Sequence, residues 1–178
     1  MGLKSTLRKF QLKKLINNPI KTKLYKGFDS IEWIGISYER SNSKDDILKY
    51  AARMKSAGKK VQLLEYIPFT QKEIEKKGIA TEGLWFCKSD LSFSGNPNNA
   101  NVEKFLKQGM DVYLDLNSKA QHPLDFISLK AKSSLKAGSS LKEDLSMDLM
   151  LSITENNNFE QLFKELDYYL NFINQKKN

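Results

Sequence analysis

"SIEWIGISYERSNSKDDILKYAARMKSAGKKVQLLEYI", residues 30–67, is the stretch that decides the fold. Residues 30–38 are a short isoleucine-rich run and read as a strand. "SKDD" then opens a helix. Ser43 stands as its N-cap, with Asp46 three residues later as a short version of the capping-box carboxylate. Ile47, Leu48, Ala51 and Met54 fall on one helical face, and Gly58 sits where a C′ glycine belongs. Residues 59–67, "KKVQLLEYI", read as a second strand. Strand, helix and strand in such close succession is the unit from which parallel sheets are built.

The alternation continues downstream. "TQKEIEKKG" reads as a short polar helix and "GLWFC" (83–87) as a third strand. Residues 89–101 are a loop by composition. "NVEKFLKQGM" follows as a helix, "DVYLDLN" (111–117) as a strand, and "HPLDFISLKAK" as a helix with proline in its first turn. The serine- and lysine-rich segment 133–145 reads as loop, apart from a short strand at 135–137. "SMDLMLSIT" (146–154) is the last strand. A closing helix carries Phe159, Leu162, Phe163, Leu166, Leu170 and Ile173 as its apolar stripe, with Asn157 and Glu160 as a cap pair. The expectation is an α/β fold of three layers. It has a mostly parallel, five- or six-stranded Rossmann-like or flavodoxin-like sheet with helices on both faces, in one domain over residues 29–178.

Ahead of that domain runs an arm, residues 1–28, read as a helix from Leu3 to Ile16 that ends at "NNP". It holds Lys4, Arg8, Lys9, Lys13, Lys14, Lys21, Lys23 and Lys26, and no acidic residue. The whole chain of 178 residues has 29 basic and 21 acidic residues, a net charge of +8, so the remaining 150 residues are balanced. The excess charge is the arm. Its apolar residues fall on two opposed sides of the helix with lysines all round, a poor match to a bilayer surface. Two readings remain. The lysines contact phosphates of structured RNA such as ribosomal RNA, or the helix docks an apolar patch on the domain and the lysines keep it soluble. Aromatic interleaving in the arm is confined to Phe10 and Tyr25.

Many mechanisms are excluded by what is missing. One cysteine rules out an internal disulfide and a multi-thiolate zinc site, and fits a reducing, cytoplasmic setting. One histidine rules out multi-histidine metal centres. No GxGxxG follows the first strand, and there is no GxxxxGK[ST] and no GxSxG. No apolar run approaches a membrane span, and the N-terminus has no signal-peptide core. Cys87 reads as a small buried hydrophobe. His122 reads as a surface or capping residue, with a general base as the alternative. Asp111, Asp115 and Asp125 lie near one strand and offer an acidic group, while Asp111 and Asp115, on one strand face, read more simply as a pair of solvated carboxylates. No cofactor and no metal is expected.

Two segments have the composition of a ligand cradle. "FSGNPNNAN" offers Ser94, Gly95, Asn96 and Asn98 before a helix, and "SLKAGSS" offers Lys136 and Gly138. The same residues serve ordinary turns and caps.

The run of Phe93–Gly95, Met110–Leu114, Ser133–Gly138 and Asp148–Leu151 resembles a family of small Bacteroidota proteins known only as a domain of unknown function. The resemblance implies a lysine-rich N-terminal helix followed by one α/β domain, and brings no catalytic residues. A fainter likeness, in Asp111–Leu116 and Leu135–Gly138, is to the N-terminal half of heptosyltransferase-like glycosyltransferases, at the level of fold alone. The resulting expectation is a non-enzymatic binding or adaptor protein whose arm meets an anionic partner, RNA or the ribosome foremost. The alternative is a small enzyme, or a nucleotide or sugar-nucleotide binder, using loops at the C-terminal edge of the sheet.

Overall fold

In the computed structural model the described residues are 12–16, 25–40, 44–117, 119–139, 145, 147–152 and 159–173. β1 (Trp33–Glu39), β2 (Lys60–Ile67), β3 (Leu84–Cys87), β4 (Met110–Asp115), β5 (Ser133–Ser139) and β6 (Leu149–Leu151) form one sheet. Its order is β3-β2-β1-β4-β5-β6 and every pairing is parallel. The strand order reverses between β1 and β4, the Rossmann arrangement. The α/β expectation is met, with six strands and no antiparallel pair in the sheet.

Parallel strands need crossovers, and the helices supply them. α2 (Lys44–Ser56), α3 (Gln71–Lys76) and α6 (Phe159–Phe172) cover one face. α4 (Ala100–Lys107) and α5 (His122–Lys130) cover the other. On the first face Ile34, Ile36, Val112 and Leu114 of the central strands meet Ile47, Tyr50 and Met54 of α2, and Leu162, Phe163 and Leu166 of α6. On the second face Leu64, Phe86 and Tyr113 meet Phe105 of α4 and Leu124 and Ile127 of α5. Gly35 makes the second contact possible, because a Cβ there would stand 2.0 Å from Met110 Sδ and 3.2 Å from Phe105 Cζ.

Local signals behave as expected where they are described. α3 opens on a full capping box, Thr70 with Glu73, which the sequence reading did not single out. α5 carries proline in its first turn, and Gly58 takes a φ of 79° after α2. Ser43 and Asn157, expected as caps, lie outside the described residues, as do residues 3–11 of the expected N-terminal helix.

Three expectations are corrected. Leu48 is 40% exposed, and Tyr50 takes its place in the core. Its ring stacks on Phe163, centroids 4.1 Å apart. Ile173 is likewise 41% exposed, beyond the reach of the α6 stripe. Residues 133–139, read mainly as loop, are a strand of seven residues. Their small side chains are an asset between β4 and β6, because a Cβ on Gly138 would stand 2.8 Å from Met147 Cε and 3.3 Å from Asp115 Cβ.

Candidate functional site

The C-terminal edge of the sheet is polar and tightly tied. Ser37 Oγ and the Tyr113 hydroxyl lie 2.7 Å apart, both fully buried beneath α5. One step nearer the edge is Asp115, also fully buried, which accepts hydrogen bonds from the backbone N–H and side-chain amide of Asn117. Asn117 Oδ1 in turn accepts the Glu39 N–H at 2.7 Å, so one buried amide joins the ends of β4 and β1. The Glu39 carboxylate accepts from the Gln121 side chain, just before α5. His122 Nε2 is 2.9 Å from Asn96 Oδ1, which ties the loop after β3 to the start of α5.

On the other face Arg40 grips Glu65 through two bonds, Nε to Oε1 at 2.8 Å and Nη2 to Oε2 at 2.6 Å. Lys44 Nζ stands 3.4 Å from the same Oε2. Hydrogen bonding to Glu65 pushes the Arg40 pKa further up, so this cation stays charged. The edge thus combines carboxylates, amides and one fixed guanidinium at the switch point, where open α/β sheets take small polar ligands. Among the described residues no group of three or more His, Cys, Asp or Glu side chains is placed to hold a metal.

The expected cradle residues lie near this edge, but their groups are largely engaged. Gly95 donates its N–H to the Ser92 carbonyl at 2.8 Å and takes a φ of 85°. Asn96 donates to Ser92 Oγ, and Asn98 to the Asp90 carbonyl. Ser94 Oγ lies 3.0 Å from Ser92 Oγ. The loop is a folded turn closed by the Leu91–Pro97 bridge. Lys136 points across the β5 face to α5, its Nζ donating to the Ser128 carbonyl at 2.8 Å, and burial pulls its pKa down. Gly138 lies beneath Met147. The structure does not gather the two segments around one ligand position.

The three aspartates separate too. Asp111 accepts the N–H groups of Glu32 and Trp33 at the opposite edge. Asp115 is buried, which corrects its reading as solvated, and Asp125 is buried as well. Cys87 is buried as expected, and burial pushes its thiol pKa up, away from thiolate chemistry.

Sequence reading missed Glu39, Arg40, Glu65, Asn117 and Gln121 as an edge assembly. Their contacts link residues 25 to 82 positions apart, and no local spacing encodes that.

The N-terminal edge of the sheet has the opposite character. Each crossover helix runs back toward it and ends there, and the last turns carry Arg53, Lys55, Lys76, Lys104, Lys107 and Lys130. The first turns, at the other edge, carry acidic residues instead. The dipoles of α2, α3, α4 and α5 are complemented at both ends in this way, and that of α6 at its N-terminus alone.

α1, described over residues 12–16, packs Leu12, Leu15 and Ile16 against Leu129, Leu145 and Met147, while Lys13 and Lys14 face solvent. Tyr25 is buried in the main core and its hydroxyl donates to the Leu170 carbonyl at 2.8 Å. Lys26 beside it is exposed. Lys4, Arg8, Lys9, Lys21 and Lys23 lie outside the described residues.

A groove of about 310 Å³ separates α2 from α6, floored by Tyr50 and Phe163. Its cations Lys49, Arg53 and Lys164 are paired with Asp46, Asp167 and Glu160. No helix among the described residues is long and apolar enough to cross a membrane.

No curated protein and no solved structure matches this sequence. One family model does, over residues 4–173, so its pattern spans both the basic arm and all six strands. The chain therefore belongs to that family, DUF6913, described as a family of unknown function.

Proposed function

We propose that this is a non-enzymatic binding protein of the cytoplasm, whose arm engages a polyanion, with RNA or the ribosome as the best candidate. One observation carries the reading. The apolar side of α1 is docked on the domain against Leu129, Leu145 and Met147, and Lys13 and Lys14 are exposed. A docked helix presents lysines at less entropic cost than a free tail, and sequence-independent phosphate contact needs no more than that.

The test is a salt series on ribosomes and bulk RNA. It compares the native chain with a variant in which Lys4, Arg8, Lys9, Lys13, Lys14, Lys21, Lys23 and Lys26 are glutamine. Deletion of the arm is the wrong control, because Tyr25 belongs to the core. With about five phosphates contacted, a fourfold rise in salt weakens binding by roughly 10²–10³. The glutamine variant loses both affinity and slope. Equal binding by the two proteins refutes the reading.

A second reading rests on the strand order and on the polar assembly of Glu39, Asp115, Asn117 and Gln121 at the switch point. It makes the protein a small enzyme or a binder of nucleotides or sugar nucleotides. Nucleotides and sugar nucleotides that leave the melting temperature unchanged at millimolar concentration count against it.

A further inference from the structure

We infer that Lys104, Lys107, Lys130 and Lys132 form a second contact for nucleic-acid phosphates, built by the folded domain and separate from the arm. This rests on the polyanion reading above and adds a site to it.

The four lysines come from the ends of two neighbouring helices. α4 and α5 pack on the same face of the sheet and contact each other. Lys104 and Lys107 lie in the last turn of α4, and Lys130 in the last turn of α5. Lys107 stands just ahead of β4 and Lys132 is the residue before β5, and these two strands pair from Met110 and Ser133 onward. The Met110 N–H donates to the Lys132 carbonyl at 3.0 Å, which holds the two strand starts side by side. Neighbouring strands run about 4.8 Å apart, so the register itself gathers these segments at one corner of the sheet. All four lysines are exposed.

Little opposes their charge. Among the described residues the ion pair in this group is Lys107 with Glu103, 3.9 Å apart and exposed on both sides, a weak pair in water. The acid next in sequence, Asp111, turns its carboxylate toward β1, where it accepts the N–H groups of Glu32 and Trp33. Helix dipoles account for cations in the last turns of α4 and α5, but Lys132 lies beyond α5 and serves no helix end. Gathered like charges repel, and an arriving anion relieves them.

The composition of the corner selects the anion. Protein interfaces are enriched in aromatic residues and arginine and depleted in lysine. None of the exposed large hydrophobic side chains lies in α4, in α5 or in the residues that end them. A carboxylate partner is met best by the arginine fork, which is missing from this group, whereas lysine is a compact point charge suited to phosphate oxygens. Contacts of that kind hold a nucleic acid without reading its sequence. No exposed ring stands at the corner to receive an unstacked base, so the backbone of a duplex is the fit. The corner is tied to the arm through packing. Leu129, the residue before Lys130, belongs to the apolar cluster that holds Leu12, Leu15 and Ile16 of α1.

The probes are a labelled RNA duplex and polyglutamate, each in a salt series. The proteins are the native chain, the arm-glutamine variant and a corner variant with Lys104, Lys107, Lys130 and Lys132 as glutamine. A charge control carries the same four-lysine loss elsewhere, at Lys49, Lys72, Lys88 and Lys164. Melting curves verify that all are folded. The corner variant should bind the duplex at least about tenfold more weakly at low salt, and its log–log salt slope should fall by about one for each phosphate contact removed. The charge control should bind like the native chain. If the corner variant binds like the native chain while the arm variant does not, the second contact is refuted and the polyanion reading stands. If the corner variant loses binding and the arm variant does not, the corner stands and the arm reading fails. Equal losses in the corner variant and the charge control mean that net charge alone matters, and overturn the inference. So does corner-dependent binding of polyglutamate without binding of the duplex, which makes the partner an acidic protein. If the native chain binds no duplex, both proposals fail.

Discussion

Removing Arg40 tests the energetics of the sheet edge most directly. Glu65 is 1% exposed and its two oxygens have three donors, two of them from Arg40. In Arg40→Met, Oε1 loses its only donor in this set, and Oε2 keeps only Lys44 at 3.4 Å. Breaking a buried pair from one side costs about 3–5 kcal/mol. The cost is lower here, because the Arg40 and Lys44 side chains are 19% and 27% exposed and water reaches the charges from that side. We expect about 2–4 kcal/mol. At a urea m-value of about 2 kcal/mol/M this moves the midpoint down by roughly 1–2 M. Lys44→Met, which removes one long contact, should cost at most about 1 kcal/mol. Glu65→Leu should cost less than Arg40→Met, since a freed guanidinium can turn to solvent and a freed buried carboxylate cannot. The double variant Arg40→Met/Glu65→Leu should recover most of the loss. Urea unfolding of the four variants decides the matter. An Arg40→Met cost below about 1 kcal/mol, or equal costs for the two single variants, would refute the account.

Three further outcomes are expected. Gly35→Ala drives a methyl group into Met110 and Phe105 and should cost about 1–3 kcal/mol in denaturant unfolding, partly relieved by Met110→Ala in the same chain. Asn117→Ala removes the acceptor of the Glu39 N–H and the side-chain donor to buried Asp115, while the backbone donor stays, and should cost about 1–3 kcal/mol, with faster amide exchange at Glu39 as its local sign. Bonds from the Thr70 N–H and hydroxyl hold the Glu73 carboxyl below its ordinary value of 4.5, so its stabilisation is present above that pH and lost as pH falls through the lower folded value. The gap in melting temperature between the native chain and Glu73→Gln should therefore narrow as pH drops below 4.5, and a gap constant with pH contradicts the assignment.

The succession of elements was legible because it is written in local patterns. The isoleucine-rich run 30–38, Gly58 and Pro123 each act within a few residues, and they located β1, the end of α2 and the start of α5. Where local pattern was weak, the reading slipped. Leu48 and Tyr50 compete for the inner face of α2, and the choice is made by Phe163 of α6, more than a hundred residues away. "SSLKAGS" has little strand propensity, and β5 exists because β4 and β6 pair with it on both sides, with Gly138 leaving room for Met147.

By itself the sequence determined a parallel α/β fold and the confinement of all excess charge to the first 28 residues. Both follow from periodicity and composition, which are additive along the chain. Tertiary structure alone decided that Glu39 meets Asn117 and Gln121, that Arg40 closes on Glu65, and that the arm enters the core beside Leu170. Residues 25 and 170 are neighbours because the crossover helices of a parallel sheet all return to one edge. The same geometry brings cations from the last turns of four helices toward one edge, which no linear window contains.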